Sequence, residues 1–69
     1  METLKNTVKE LRIQRDISQG KLADLVGVTR QTIISLEKGS YIPSLLLAMK
    51  LSEVLDTPIT TIFTREDIQ

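Results

Sequence analysis

Two runs of residues with helical apolar spacing, QGKLADLV and RQTIISLEK, are separated only by Gly27, Val28 and Thr29. A link that short leaves two helices no room to lie side by side, so they must cross sharply and touch where they cross. The residues suit such a crossing. Gly27 can take the left-handed conformation that ends a helix, and Ala23 is small enough for the helices to approach closely. Leu22, Val26, Val28, Ile33 and Leu36 fall on the sides that face inward. That leaves Arg30, Gln31, Thr32, Ser35 and Lys38 on the second run, all polar or charged and without a reason to be buried. Arginine and glutamine side chains can read base edges through paired hydrogen bonds. A helix fits the major groove of B-DNA, so this face has a natural ligand in duplex DNA.

The rest of the chain is punctuated in the same style, which predicts an all-α fold of five helices. A first segment, about Asn6 to Arg15, carries Leu4, Val8 and Leu11 as one stripe and Lys5, Lys9, Arg12 and Arg15 outside it. Ser18 is a good N-cap for the second segment and Thr29 for the third, which ends at Lys38 before Gly39. Ser44 caps a fourth, with Leu45, Ala48, Leu51, Ser52 and Leu55 at helical spacing. Thr57 followed by Pro58 reads as a cap with proline at the first helical position, opening a short last helix with Ile59, Ile62 and Phe63. Residues 64–69 have little to bury and are expected to fray; pairing as a short strand with Thr3–Lys5 is the lesser alternative. The 69 residues make one domain, 1–69, with its core at about 6–63.

Absent residue types remove whole classes of function. Without cysteine there is no disulfide framework or thiolate metal site, and without histidine no Ser-His-Asp triad or histidine general base. Neither a metal nor a cofactor is expected. Glu10, Asp16 and Glu53 offer carboxylates, but no glycine-rich phosphate loop or metal cluster accompanies them, so an enzyme is not expected. No apolar run reaches the roughly 18 residues of a membrane span, and no basic start leads into an apolar stretch. A cytoplasmic protein is the default expectation. The net charge of zero hides an asymmetry: residues 1–50 carry a balance of +3 and residues 51–69 a balance of −3. Phosphate neutralisation is local, so the basic part is what matters for a DNA ligand.

The stretches LRIQRDISQGKLADLVGVTRQTIISLEKG and YIPSLLLAMKLSEVLDTPITTIF resemble the lambda-repressor-like, or Cro/Xre-type, helix-turn-helix regulators, in their short stand-alone form. The resemblance runs from about Val8 to Phe63. It rests on the Ser-Gln helix start, the Ala and Gly spacing, the Leu-Glu-Lys-Gly ending and the Pro-Ser start of the next helix occurring together. It implies a bacterial or phage-encoded transcriptional regulator of double-stranded DNA. It also implies roles: Gln19 on backbone phosphate; Thr29 at the recognition-helix cap; Arg30, Gln31 and Ser35 on base edges; Lys38, Ser40 and Tyr41 on phosphate. Thr32 lies on the same outward face. Arg12 and Glu37 match an internal ion pair that ties the first helix to the third. Three positions depart from the usual pattern: Gly20 stands for Glu, Asp or Gln, Ile34 for a polar residue, and Ser35 for a frequent lysine. Ile34 is open to two readings, contact with a thymine methyl or a tolerated surface residue.

The bland reading of Lys5, Lys9 and Lys21 is plain surface charge, and it is preferred. Ile42, Leu46 and Met49 exceed what the core needs. They read either as loose packing or as a self-association patch. A single short recognition helix rarely reaches specific affinity alone. The expectation is therefore a homodimeric repressor on a palindromic operator, with Leu46, Met49, Ile59, Ile62 and Phe63 as interface candidates. The rival is an antitoxin-type protein-interaction module that also represses its own operon. No small-molecule ligand is evident.

Overall fold

The computed structural model describes residues 2–67. Its elements follow the order β1 (Glu2–Asn6), α1 (Val8–Gln14), α2 (Gln19–Val26), α3 (Arg30–Lys38), α4 (Leu45–Leu55), α5 (Ile59–Ile62) and β2 (Phe63–Asp67). Three helix starts lie where short-range chemistry puts them. Ser18 Oγ accepts from the Lys21 N–H, Thr29 Oγ1 from Thr32 and Ser44 Oγ from Leu47, at 3.1, 3.2 and 3.1 Å. Each satisfies one donor that the first helical turn leaves unpaired.

The helix ends share one device. Asp16, Gly27, Gly39 and Asp56 all have positive φ, at 59°, 76°, 81° and 49°. The N–H that follows each one, on Ile17, Val28, Ser40 and Thr57, reaches back to Arg12, Ala23, Ser35 and Ser52 carbonyls at 3.0–3.1 Å. This reverses the chain and satisfies a terminal carbonyl. A glycine-to-alanine change should therefore have opposite signs at two sites. At Gly27 a Cβ meets the left-handed strain, about 1–2 kcal/mol. At Gly20, inside α2, a Cβ has nothing within 4 Å, so Gly20→Ala should stabilise by up to about 1 kcal/mol. Urea midpoints of the two variants check this, and shifts of the same sign would contradict it.

The expectation of an all-α chain is corrected by the sheet. β1 and β2 pair antiparallel with Thr3 opposite Glu66, Leu4 opposite Arg65 and Lys5 opposite Thr64. The described part of the tail, expected to fray, is held by this ladder; residues 68–69 lie outside the described residues. An isolated two-stranded pair is marginal, and tertiary anchors support this one. Leu4 packs on the core. The Thr7 N–H donates to the Ile62 carbonyl at 2.9 Å, and Lys5 pairs with Glu66 at 3.1 Å across the strands. Leu4 thus belongs to the inner stripe but from a strand, so α1 begins at Val8 rather than Asn6. Asn6 keeps a capping task, because its Oδ1 accepts from the Val8 N–H at 3.1 Å. Proline 58 is itself the N-cap of α5; Thr57, expected in that place, donates its hydroxyl to the Leu55 carbonyl at 2.8 Å.

The core gathers Val8, Leu22, Ala23, Val26, Ile33, Leu36, Leu47, Ala48, Leu51, Leu55, Ile62 and Phe63. Leu47 replaces Leu45 on the inner face of α4, and Leu45 is exposed. Ile62 is fully buried and Phe63 is 9% exposed, so both are core residues of the protomer and not available to a partner. Ile59 packs against the same cluster, half-buried.

Candidate nucleic-acid interface

Helix α3 turns two faces in different directions. Ile33 and Leu36 are fully buried, while Arg30, Gln31 and Lys38 are exposed and Thr32, Ile34 and Ser35 half-buried. At about 100° per residue, Gln31, Ile34, Ser35 and Lys38 lie opposite the buried pair, with Arg30 at one margin. Ile34 is not among the apolar residues packed on the core. It stands in the middle of the outward face, between Arg30 and Lys38 one turn to either side.

The polar groups on this face have defined partners. Gln31 Nε2 donates to Ser35 Oγ at 3.4 Å along the helix. The Thr29 and Thr32 hydroxyls lie 3.0 Å apart at the helix start. Beyond the helix, Ser40 donates its hydroxyl proton to the Ser35 carbonyl at 3.1 Å, and its N–H reaches the same oxygen at 3.0 Å. Ser40 thus serves as a helix cap here, with both donors engaged. Tyr41 and Lys38 are exposed beside it.

The helix is held in place by a nearly buried ion pair. Arg12 Nε donates to Glu37 Oε2 at 2.8 Å and Nη2 to Oε1 at 3.3 Å, with side-chain exposures of 11% and 5%. The remaining arm of Arg12 donates to the Ile17 carbonyl at 2.9 Å. Two-pronged pairing with a carboxylate fixes direction as well as distance. Gln19 joins the pair, donating from Nε2 to Glu37 Oε1 at 3.1 Å. Its Oε1 accepts from Arg30 at 3.3 Å. The sequence implied the Arg12–Glu37 pair through resemblance, and the two add-on contacts lay beyond it.

Asn6 was missed as well. Its Nδ2 donates to the Leu36 carbonyl at 2.9 Å, so one amide caps α1 and ties down the last turn of α3. An asparagine just before an apolar run was the available signal. Among the described residues no group of three or more His, Cys, Asp or Glu could hold a metal ion. No helix among the described residues is long and apolar enough to cross a membrane.

A short helix locked against its partner by a three-residue turn, with a polar outer face free of the core, defines a helix-turn-helix of the DNA-binding kind. The chain belongs to the Cro/Xre-type helix-turn-helix family, whose family profile matches residues 8–62. It is 48% identical over 64 residues to the uncharacterized HTH-type transcriptional regulator YgzD of Bacillus subtilis strain 168, covering 93% of this chain and 97% of that one. It is 35% identical over 52 residues to the cryptic phage CTXphi transcriptional repressor RstR of Vibrio cholerae, covering 75% of this chain and 47% of that one. Among solved structures, the restriction-modification controller protein C.AhdI of Aeromonas hydrophila superposes with a TM-score of 0.73 at 33% identity, over 78% of this chain and 82% of that chain. The family is one of DNA-binding transcriptional regulators and not an enzyme class.

Proposed function

We propose that the protein is a transcriptional repressor that occupies a two-fold-symmetric operator as a homodimer, with α3 of each protomer in the major groove. The outward face of α3 carries this reading, because Gln31, Ser35, Lys38 and Arg30 form a polar surface that the protein's own packing does not use. Gln31 and Arg30 are its base readers, joined by Ser35, while Thr29, Thr32 and the start of α2 at Gln19 face the backbone. Lys38 and Tyr41 extend the phosphate contact past the helix. The positive balance of residues 1–50 supplies attraction to phosphate. A relative described as a repressor is consistent with this mode of action, and occupancy of a promoter is sufficient for repression.

The dimer reading is supported by an apolar face that the fold leaves uncovered. Ile42, Leu45, Leu46 and Met49 are 72%, 71%, 63% and 55% exposed. Two protomers joined there would double the contact without new chemistry. On DNA their recognition helices must lie about 34–36 Å apart, one turn of the duplex.

The test is a duplex enriched by the protein from a random library and titrated at two salt concentrations. Affinity should fall steeply with salt as counterions are released, and Lys38→Ala should lessen that dependence. Gln31→Ala should lose about 1–3 kcal/mol of discrimination at one base pair, the scale of a two-pronged base contact, and should keep its melting temperature. A salt-independent affinity, or a binding site without a repeated half, would overturn the proposal.

A further inference from the structure

We propose that Glu37 is a positioning residue for sequence reading: through Gln19 it sets which way the Arg30 guanidinium is held at the start of the recognition helix. This rests on the DNA-binding reading above. The argument is one of hydrogen-bond polarity. A carboxylate only accepts and a guanidinium only donates, whereas a glutamine amide does both. Glu37 Oε1 lies 3.1 Å from Gln19 Nε2, and the Arg30 guanidinium lies 3.3 Å from Gln19 Oε1. Only one orientation of the Gln19 amide satisfies both neighbours. The nearly buried Glu37 therefore dictates that Gln19 shows its oxygen outward, and that oxygen holds one arm of Arg30. The other arm and Nε of Arg30 stay available for a base edge. Glu37 is itself fixed by both contacts from Arg12, so the chain of contacts runs from the buried pair to the exposed reader.

Glu37→Gln inverts this chain while changing little in shape. Arg12 Nε, 2.8 Å from Oε2, requires an oxygen there. The new amide nitrogen must then occupy the Oε1 position, giving up the longer 3.3 Å contact from Arg12 Nη2, and face Gln19. Gln19 has to turn its oxygen inward, which presents its NH2 group to Arg30, donor against donor. Arg30 is released from its partner.

The sign of the effect separates positioning from charge. Loss of a carboxylate beside DNA strengthens attraction to phosphate on every sequence. Loss of positioning lowers discrimination at one base pair.

The experiment uses the full chain, the duplex it enriches from a random library, its single-base-pair variants, and poly(dI-dC) as the non-specific probe. Arg30→Ala first identifies the base pair read by Arg30, with a discrimination loss of about 5- to 150-fold. Glu37→Gln is expected to lose about two- to tenfold at that same base pair, the scale of one hydrogen bond. Its affinity for poly(dI-dC) should hold or rise. In a Gln19→Met background the Glu37→Gln change should add nothing at that base pair. Thermal melts accompany each variant, and if Glu37→Gln does not fold, Gln19→Met alone decides by losing discrimination there or keeping it.

Retained discrimination at the Arg30 position overturns the proposal. So does a uniform loss on all duplexes, or the absence of any base pair that depends on Arg30. A wild-type protein that enriches no duplex overturns the DNA reading itself, which is a different result from enrichment with an unchanged variant pattern.

Discussion

Arg12→Ala is expected to abolish most of the stability of the folded protein. The substitution leaves the Glu37 carboxylate, whose side chain is 5% exposed, without its cation. Breaking such a pair from one side costs about 3–5 kcal/mol. The Ile17 carbonyl also loses its donor. A core of this size supplies only about 3–5 kcal/mol in total, so the loss is comparable to the whole. Removing both charges is a different matter, because apolar side chains of similar volume can fill the space at little or no net cost. Arg12→Met combined with Glu37→Leu should therefore refold, with a cooperative urea transition near that of the wild type. That double variant should still lack full sequence discrimination, since Gln19 no longer meets a carboxylate. A loss below about 1 kcal/mol for Arg12→Ala would mean that water reaches Glu37 and screens it.

The Arg12–Glu37 pair, 25 residues apart, was implied only by resemblance, whereas the helix ends were legible from local residues. Ser18, Thr29 and Ser44 were legible as caps because a cap bond spans only three residues, Ser18 to Lys21 for example. Gly27 and Gly39 were legible as helix ends for the same local reason. The sheet was not. Glu2–Asn6 and Phe63–Asp67 are short and charged, and they gain their order from each other and from Leu4 on the core. That pairing spans most of the chain, where local propensity says little.

Leu45, Leu46 and Leu47 present a second kind of limit. Three consecutive leucines satisfy a helical period in more than one phase. Packing against α2 and the rest of the core decides that Leu47 goes inside, and Leu45 and Leu46 are left out. The Gln19 contacts to Glu37 and Arg30 had no local signature either. They arise only when the start of α2 is brought against α3, between Arg30 at its start and Glu37 near its end. Sequence reasoning thus reached the outward polar face of α3, and the structure supplied how its members are held.

The exposed leucines lead to the other large effect. At about 100° per residue, Leu45, Leu46 and Met49 share one sector of α4, and Ile42 precedes them on the adjoining loop. Lys50 and Glu53 are exposed nearby on the same helix and give the patch a charged rim. Leu46→Gln together with Met49→Gln removes apolar surface without adding charge that would itself repel DNA. Because neither side chain packs in the protomer core, the helical content should be unchanged. Sedimentation at micromolar concentration should shift from dimer to monomer. Affinity for a duplex with two half-sites should fall by about 10²–10⁴-fold, the gain that linking two binding events provides. Affinity for a duplex with one half-site should stay the same, since each α3 is intact. A variant that remains dimeric, or that loses affinity equally on one and two half-sites, would show that this face of α4 does not join the protomers.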